Sequence, residues 1–150
     1  MALELNQDKV IKIVSEIETS LQRLEELRRL PEDTFCSDPH KVASAKYHFI
    51  VAIEGMIVLC NHIIAKNHFR APEDYADAFR VLSEKGAFEE GFTQTLVQMT
   101  RFRNRLVHLY WAVDDDELYR ILLGGLDDIR MFLKRFGSFI TQEDKKTPPF

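Results

Sequence analysis

The sequence predicts an all-α protein: an antiparallel up-and-down helical bundle of four long helices plus one short helix, in a single domain over residues 1–150. Three observations point there. Apolar residues recur at spacings of three and four in five successive segments, the pattern of amphipathic helices rather than strands. Only 6 Gly and 5 Pro punctuate 150 residues, too few for the tight turns of an all-β chain. Hydrophobic residues make up 45% and charged residues 29%, which supports a packed core and argues against disorder.

The first helix spans about 6–29, with Val10, Val14, Ile17, Leu21 and Leu24 on one stripe. Pro31 stops it, and 31–38 reads as a loop. Asp38 caps the second helix and Pro39 fits its first turn, where a missing N–H is harmless. That helix runs to about 67 and is apolar almost all round from Phe49 to Ile64, so it belongs at the centre of the bundle. A short third helix follows Pro72 over 73–84, carrying Tyr75, Ala78, Phe79 and Leu82, and Gly86 ends it. The fourth spans about 89–111, with Phe92, Leu96, Met99, Phe102, Leu106 and Leu109 facing inward. Asp114 and Glu117 resemble a capping box that opens the fifth helix, which extends to about 141. From about 142 the chain is a polar, frayed tail.

Composition removes several function classes. A net charge of −4 excludes a polybasic protein that binds nucleic acid by bulk charge, but not a local basic site. Cys36 and Cys60 are too few for a disulfide scaffold and form no Cys-x-x-Cys motif. Residues 1–5 show no signal peptide, and the apolar stretch 49–65 carries Glu54, Asn61 and His62, which would be costly in a bilayer. A soluble, cytoplasmic protein is expected.

Polar residues in apolar surroundings are the functional signals. Glu54 and Asn61 lie seven residues apart, two turns along one face of the central helix. A buried carboxylate needs a partner, so Glu54 either pairs with an arginine of a neighbouring helix or braces a polar site with Asn61. His62 alone reads as a helix-surface residue.

The densest signal is Arg101-Phe102-Arg103-Asn104-Arg105-Leu106-Val107-His108-Leu109-Tyr110-Trp111. At 100° per residue, Arg101, Asn104, Arg105, His108 and Trp111 share one face, and Arg103, Val107 and Tyr110 another. Arg103 and His108 stand about 140° apart. Three geometries would reconcile them at one substrate: a distorted helix, an Arg103 that swings round, or a second subunit. The structural alternative is a basic helix end with His108 as a capping or packing residue. No Ser-His-Asp signature, phosphate-binding glycine loop, His-Glu-x-x-His or paired metal carboxylates occur, so an active site here would be built from Arg, His and Tyr without metal or cofactor.

Such residues suit one chemistry well. Imidazole titrates near about 6.5 and can exchange a proton at neutral pH. Guanidinium offers a donor fork matched to phosphate oxygens. Together they suit cleavage of an RNA phosphodiester by its own 2′-hydroxyl. Tyr110 and Trp111 fit either base stacking or a core.

The run from Arg103 to Asp114 resembles the HepT-like toxin family of the HEPN superfamily, whose hallmark is an arginine, four to six residues, a histidine, and a tyrosine two positions later. Arg103, His108 and Tyr110 match with a gap of four. Val51-Ala52-Ile53-Glu54 leading to Asn61-His62-Ile63-Ile64-Ala65, and Pro72-Glu73-Asp74-Tyr75-Ala76-Asp77-Ala78-Phe79 leading to Gly86, agree in the same order. The similarity covers about 43–119; the first helix and the segment up to Asp38 match poorly.

The resemblance implies a HEPN-like bundle that forms a homodimer with both motifs facing a shared cleft. It implies a metal-independent endoribonuclease, the toxin of a toxin–antitoxin pair. Its antitoxin would be a small MNT-type nucleotidyltransferase that silences it by transferring AMP to the motif tyrosine. Carried over, His108 is the general acid/base, Arg103 the phosphate stabiliser and Tyr110 the modified residue. Asn104, one turn from His108, would orient its ring, with Glu54 and Asn61 in support. Phe102, Leu106, Leu109 and Trp111 beside a polar motif also suggest a partner surface. The rival class is a non-catalytic helical partner that binds nucleotide or docks such a nucleotidyltransferase, a role that does not need the Arg103–His108–Tyr110 set. A purely structural dimerisation module would leave Glu54, Asn61 and the arginine run unexplained.

Overall fold

Four short polar side chains cap the starts of four helices in this chain. Asn6, Asp38, Asp74 and Asp114 each accept a backbone N–H, from Lys9, His40, Asp77 and Glu117, at 3.1, 2.9, 2.7 and 2.7 Å. Such a cap contributes about 1 kcal/mol to its helix. They open α1 (Gln7–Arg28), α3 (Pro39–Lys66), α4 (Tyr75–Glu84) and α6 (Asp115–Ile140). Between them lie α2 (Glu32–Cys36) and α5 (Glu90–His108), with a single 3-10 turn at Tyr110–Ala112. The computed structural model describes residues 2–141, and every regular element among them is helical. The polar tail expected from 142 lies outside the described residues.

The all-α bundle predicted from periodicity is the fold observed. α3 is its axis, packed against α1, α4, α5 and α6. Phe49, Ile53, Met56, Leu59 and Ile63 are almost wholly buried along it and join one hydrophobic core with Ile17, Leu24, Phe79, Phe132 and Phe136. α3 is long and apolar enough to cross a membrane, but more than half of its most apolar window is buried against other helices. At Gly55 the α1–α3 approach leaves no room for a side chain: a Cβ there would sit 2.7 Å from Ile17 Cγ1. The loop after α4 turns on Gly86, whose φ of 93° favours glycine.

Several boundaries differ from expectation, each for a visible reason. Residues 31–38, expected as a loop, hold α2, a helix too short to show periodicity. Phe35 anchors it, fully buried with its ring 5.5 Å from that of Tyr119. α4 begins at Tyr75 instead of residue 73, because Asp74 is the cap. The fourth expected helix, α5, stops at His108, three residues early. Leu109 leaves helical geometry at φ −133°, ψ 46°, and Arg105 reaches over the break to the carbonyl of Ala112 at 2.9 Å. The expected capping box is half formed: Asp114 caps Glu117 N–H, but the Glu117 carboxylate is taken by Arg105 at 2.6 and 2.8 Å. Phe102 and Leu106 are buried in the core of the bundle itself, so neither belongs to a partner surface; Leu109 and Trp111 stay exposed.

Candidate active site

One face of α3 escapes burial. Glu54, Val58 and Asn61 recur at spacings of four and three, and with Ile57, Tyr75 of α4 and Arg103 of α5 they line a cleft of about 230 Å³. Arg103 dominates it. Its Nε and Nη2 both donate to Glu54 Oε1, at 3.1 and 2.6 Å, and its Nη1 donates to Asn104 Oδ1 at 2.9 Å. The Tyr75 ring centroid lies 5.3 Å from the guanidinium carbon, within cation–π range. The Arg103 side chain is only 12% exposed, against 44% for Glu54. Among the described residues, three of its five guanidinium N–H groups are engaged and two make no hydrogen bond. A charge held on three sides costs little further ordering when an anion arrives.

Glu54, Asn61, Arg103 and Asn104 therefore gather in one place. The Glu54–arginine pair weighed in the sequence exists, and Glu54 and Asn61 line the same cleft; the carboxylate is half-exposed, not buried as the sequence suggested. Asn104 is bonded to Arg103, and among the described residues it makes no hydrogen bond to His108.

His108 and Tyr110 stand elsewhere. His108 is the exposed last residue of α5, and its side chain makes no hydrogen bond among the described residues. Tyr110 and Trp111 are 62% and 70% exposed, their rings edge-to-face at 5.2 Å. α5 is unbroken from Glu90 to His108, so no helix distortion brings Arg103 and His108 onto one face. Nor does Arg103 swing round, because Glu54 holds it toward α3. Of the three geometries open from the sequence, the protomer shows neither a distorted helix nor a swung arginine.

The other arginine of the motif core is structural. Arg105 and Glu117 form a bidentate pair, in which Arg105 holds the Glu117 carboxyl below its ordinary range and Glu117 raises the Arg105 guanidinium. His62 is a correction to the sequence reading: it is buried, not on the surface, and its Nε2 accepts the Asn6 N–H at 2.9 Å. Burial, then Lys9 and Lys66, lower its pKa, in keeping with a neutral acceptor ring. It fixes the entry to α1 and takes no part in the cleft.

Tyr75 was missed as a site residue, because its place on the apolar face of the third helix reads as core. Its position directly after the capping Asp74 was the available signal, since a first-turn side chain is free to lean outward. Among the described residues, one cluster brings metal-type donor atoms within 4.8 Å of one another: Glu32, Cys36 and Asp116. Burial and four neighbouring carboxylates, Asp116 foremost, raise the Cys36 thiol, which favours the protonated form. The cluster includes no residue of the Arg103 cleft.

Among the described residues the chain is thus a strand-free bundle, with an arginine held in a polar cleft and a histidine closing the same helix. The chain belongs to the "Ribonuclease HepT-like" family, whose profile matches residues 17–136. A protein of Archaeoglobus fulgidus named "Putative RNase" is 25% identical over 113 residues, covering 75% of this chain and 80% of that protein. The tri-AMPylated Shewanella oneidensis HEPN toxin, solved in complex with MNT antitoxin, superposes with a TM-score of 0.80 at 21% identity, over 87% of this chain and 98% of that one. The cytosolic protein of unknown function YutE from Bacillus subtilis superposes at 0.79 with 22% identity over the whole of both chains.

Proposed function

We propose that this protein is a metal-independent endoribonuclease, the toxin of a toxin–antitoxin pair, acting in the cytoplasm as a homodimer whose shared cleft receives Arg103 and His108 from both protomers. The observation that carries this reading is the separation of those two residues: a straight α5 and the Glu54 bridge keep them on different faces of one protomer. Val107, Leu109, Tyr110 and Trp111, all exposed around His108, supply an apolar border that a second copy would cover.

In the reaction, His108 takes the proton of a ribose 2′-hydroxyl as its oxygen attacks the adjacent phosphorus. Imidazolium then returns a proton to the departing 5′-oxygen, leaving a 2′,3′-cyclic phosphate and a 5′-hydroxyl. The two uncommitted N–H groups of Arg103 stabilise the charge that builds on the phosphoryl oxygens. Glu54, Asn104 and Tyr75 hold that guanidinium in place, and Asn61 supplies an amide at the cleft wall.

Regulation follows from Tyr110. Its exposed hydroxyl is open to AMP transfer by a small MNT-type nucleotidyltransferase, the antitoxin partner of this reading. The added phosphate and nucleoside would occupy space that RNA needs. The test is cleavage of a labelled RNA in the presence of EDTA, with mass in solution measured on the same sample. Dimers that cut RNA under chelation support the reading; a monomer, or cleavage that stops with EDTA, overturns it.

A further inference from the structure

The arginine run leaves one member without a task. Arg103 is bonded to Glu54 and Arg105 to Glu117, whereas no carboxylate among the described residues lies within ion-pair reach of the exposed Arg101. Arg101 instead lines a groove of about 520 Å³ between α4 and α5. Arg80 lines it too. Its carboxylate neighbour Asp77 lies 3.8 Å away and is already held at 2.7 Å by Arg70, which keeps the Asp77 carboxyl at about 2.

The groove's two acids, Glu84 and Glu90, stand away from Arg101. Glu84 is taken by Arg70 at 2.9 Å, and Glu90 stands eleven residues before Arg101, about 16 Å along the helix. The exposed amides of Gln94 and Gln98 also face the groove. Gln94, Gln98, Arg101 and His108 fall within an arc of roughly 80° on α5, and the stripe is about 21 Å long. It runs from the groove to the histidine.

We propose that the α4–α5 groove binds the sugar–phosphate backbone of single-stranded RNA on its way to His108, with Arg80 and Arg101 each holding a phosphate. The inference rests on the ribonuclease reading and extends it to the path of the substrate. A chain of net charge −4 repels RNA as a whole, so attraction falls to Arg101, which has no carboxylate within ion-pair reach among the described residues, and to Arg80, which shares its one carboxylate, Asp77, with Arg70. A guanidinium fork fits phosphate oxygens, and glutamine amides serve sugar hydroxyls without reading sequence. The track therefore adds affinity and not base preference.

The test is binding of a labelled single-stranded oligoribonucleotide by His108→Ala protein across a potassium chloride series, with Arg80→Ala and Arg101→Ala added singly and together. Each phosphate contact to a single strand contributes about 0.7 to the slope of log affinity against log salt. Each arginine removed should lower the slope by about 0.7 and the pair by about 1.4. Arg23→Ala, on α1 and away from the groove, should leave it unaltered. Unchanged slopes overturn the track, and loss of nucleotidyltransferase binding with RNA slopes unchanged would overturn it in favour of a protein interface. Wild-type cleavage of the same RNA is scored separately: cleavage with unchanged slopes sinks the track alone, and arginine-dependent slopes without cleavage sink the ribonuclease reading alone.

Discussion

Arg103 and Glu54 come from helices that never follow one another in the chain, yet two guanidinium nitrogens converge on one carboxylate oxygen, at 3.1 and 2.6 Å. That contact decides which way the motif arginine faces. In Glu54→Ala, Arg103 loses its main anchor and is free to tilt by an ångström or more. Cleavage should fall on the order of 10²-fold. Because Glu54 is nearly half exposed, the stability loss should stay at about 1 kcal/mol. Initial rates alongside urea unfolding separate the two effects; a large unfolding shift with an unaltered rate per folded molecule would reject the positioning role.

His108 is exposed and its side chain makes no hydrogen bond among the described residues, so its replacement should not disturb the bundle. His108→Ala should lower cleavage by about 10²–10⁴-fold with an unchanged melting temperature. Rates within a few-fold of wild type would make the residue a bystander.

Tyr110 is 62% exposed, on a turn that Arg105 ties to α6. Incubated with ATP, magnesium and the partner nucleotidyltransferase, the wild type should gain the mass of AMP and lose cleavage, and Tyr110→Phe should do neither. Equal labelling of both proteins by intact mass spectrometry would move the modification elsewhere.

His62 links pH to stability. Its folded pKa lies below the ordinary 6.5, because burial and nearby lysines disfavour the imidazolium. Its contribution is therefore complete above about 6.5 and is lost as pH falls through the lowered value. Urea midpoints should decline from pH 7 toward pH 5, and His62→Ala should be less stable at pH 7 with a shallower decline. Half-buried His48 has its pKa lowered as well, chiefly by desolvation, so the variant and not the wild-type curve isolates His62. Parallel curves for the two proteins would contradict the assignment.

Most of the bundle was legible because its information is local. Stripes at three and four residues mark each long helix, and Asp38 and Asp114 announce their own caps. α2 was hidden because five residues carry no period and Phe35 finds its reason only in Tyr119, far along the chain. The end of α5 was hidden for the same kind of reason, since Arg105 closes the break on α6. Within the site, Arg103 and His108 stood out by composition, and their 140° separation was calculable. That Glu54 would hold one of them, that Tyr75 would cover it and that Arg101 would be left without an acid depended on three-dimensional packing.

The claim that organises the rest is that two protomers build one site. Arg103→Ala and His108→Ala chains, each inactive alone, can be co-expressed and the mixed dimer isolated by two tags. A cleft between protomers then holds one intact arginine and one intact histidine, which no parent dimer has. The mixed dimer should cleave RNA at least about ten-fold faster than either parent. Cleavage no faster than the better parent would contradict the shared site.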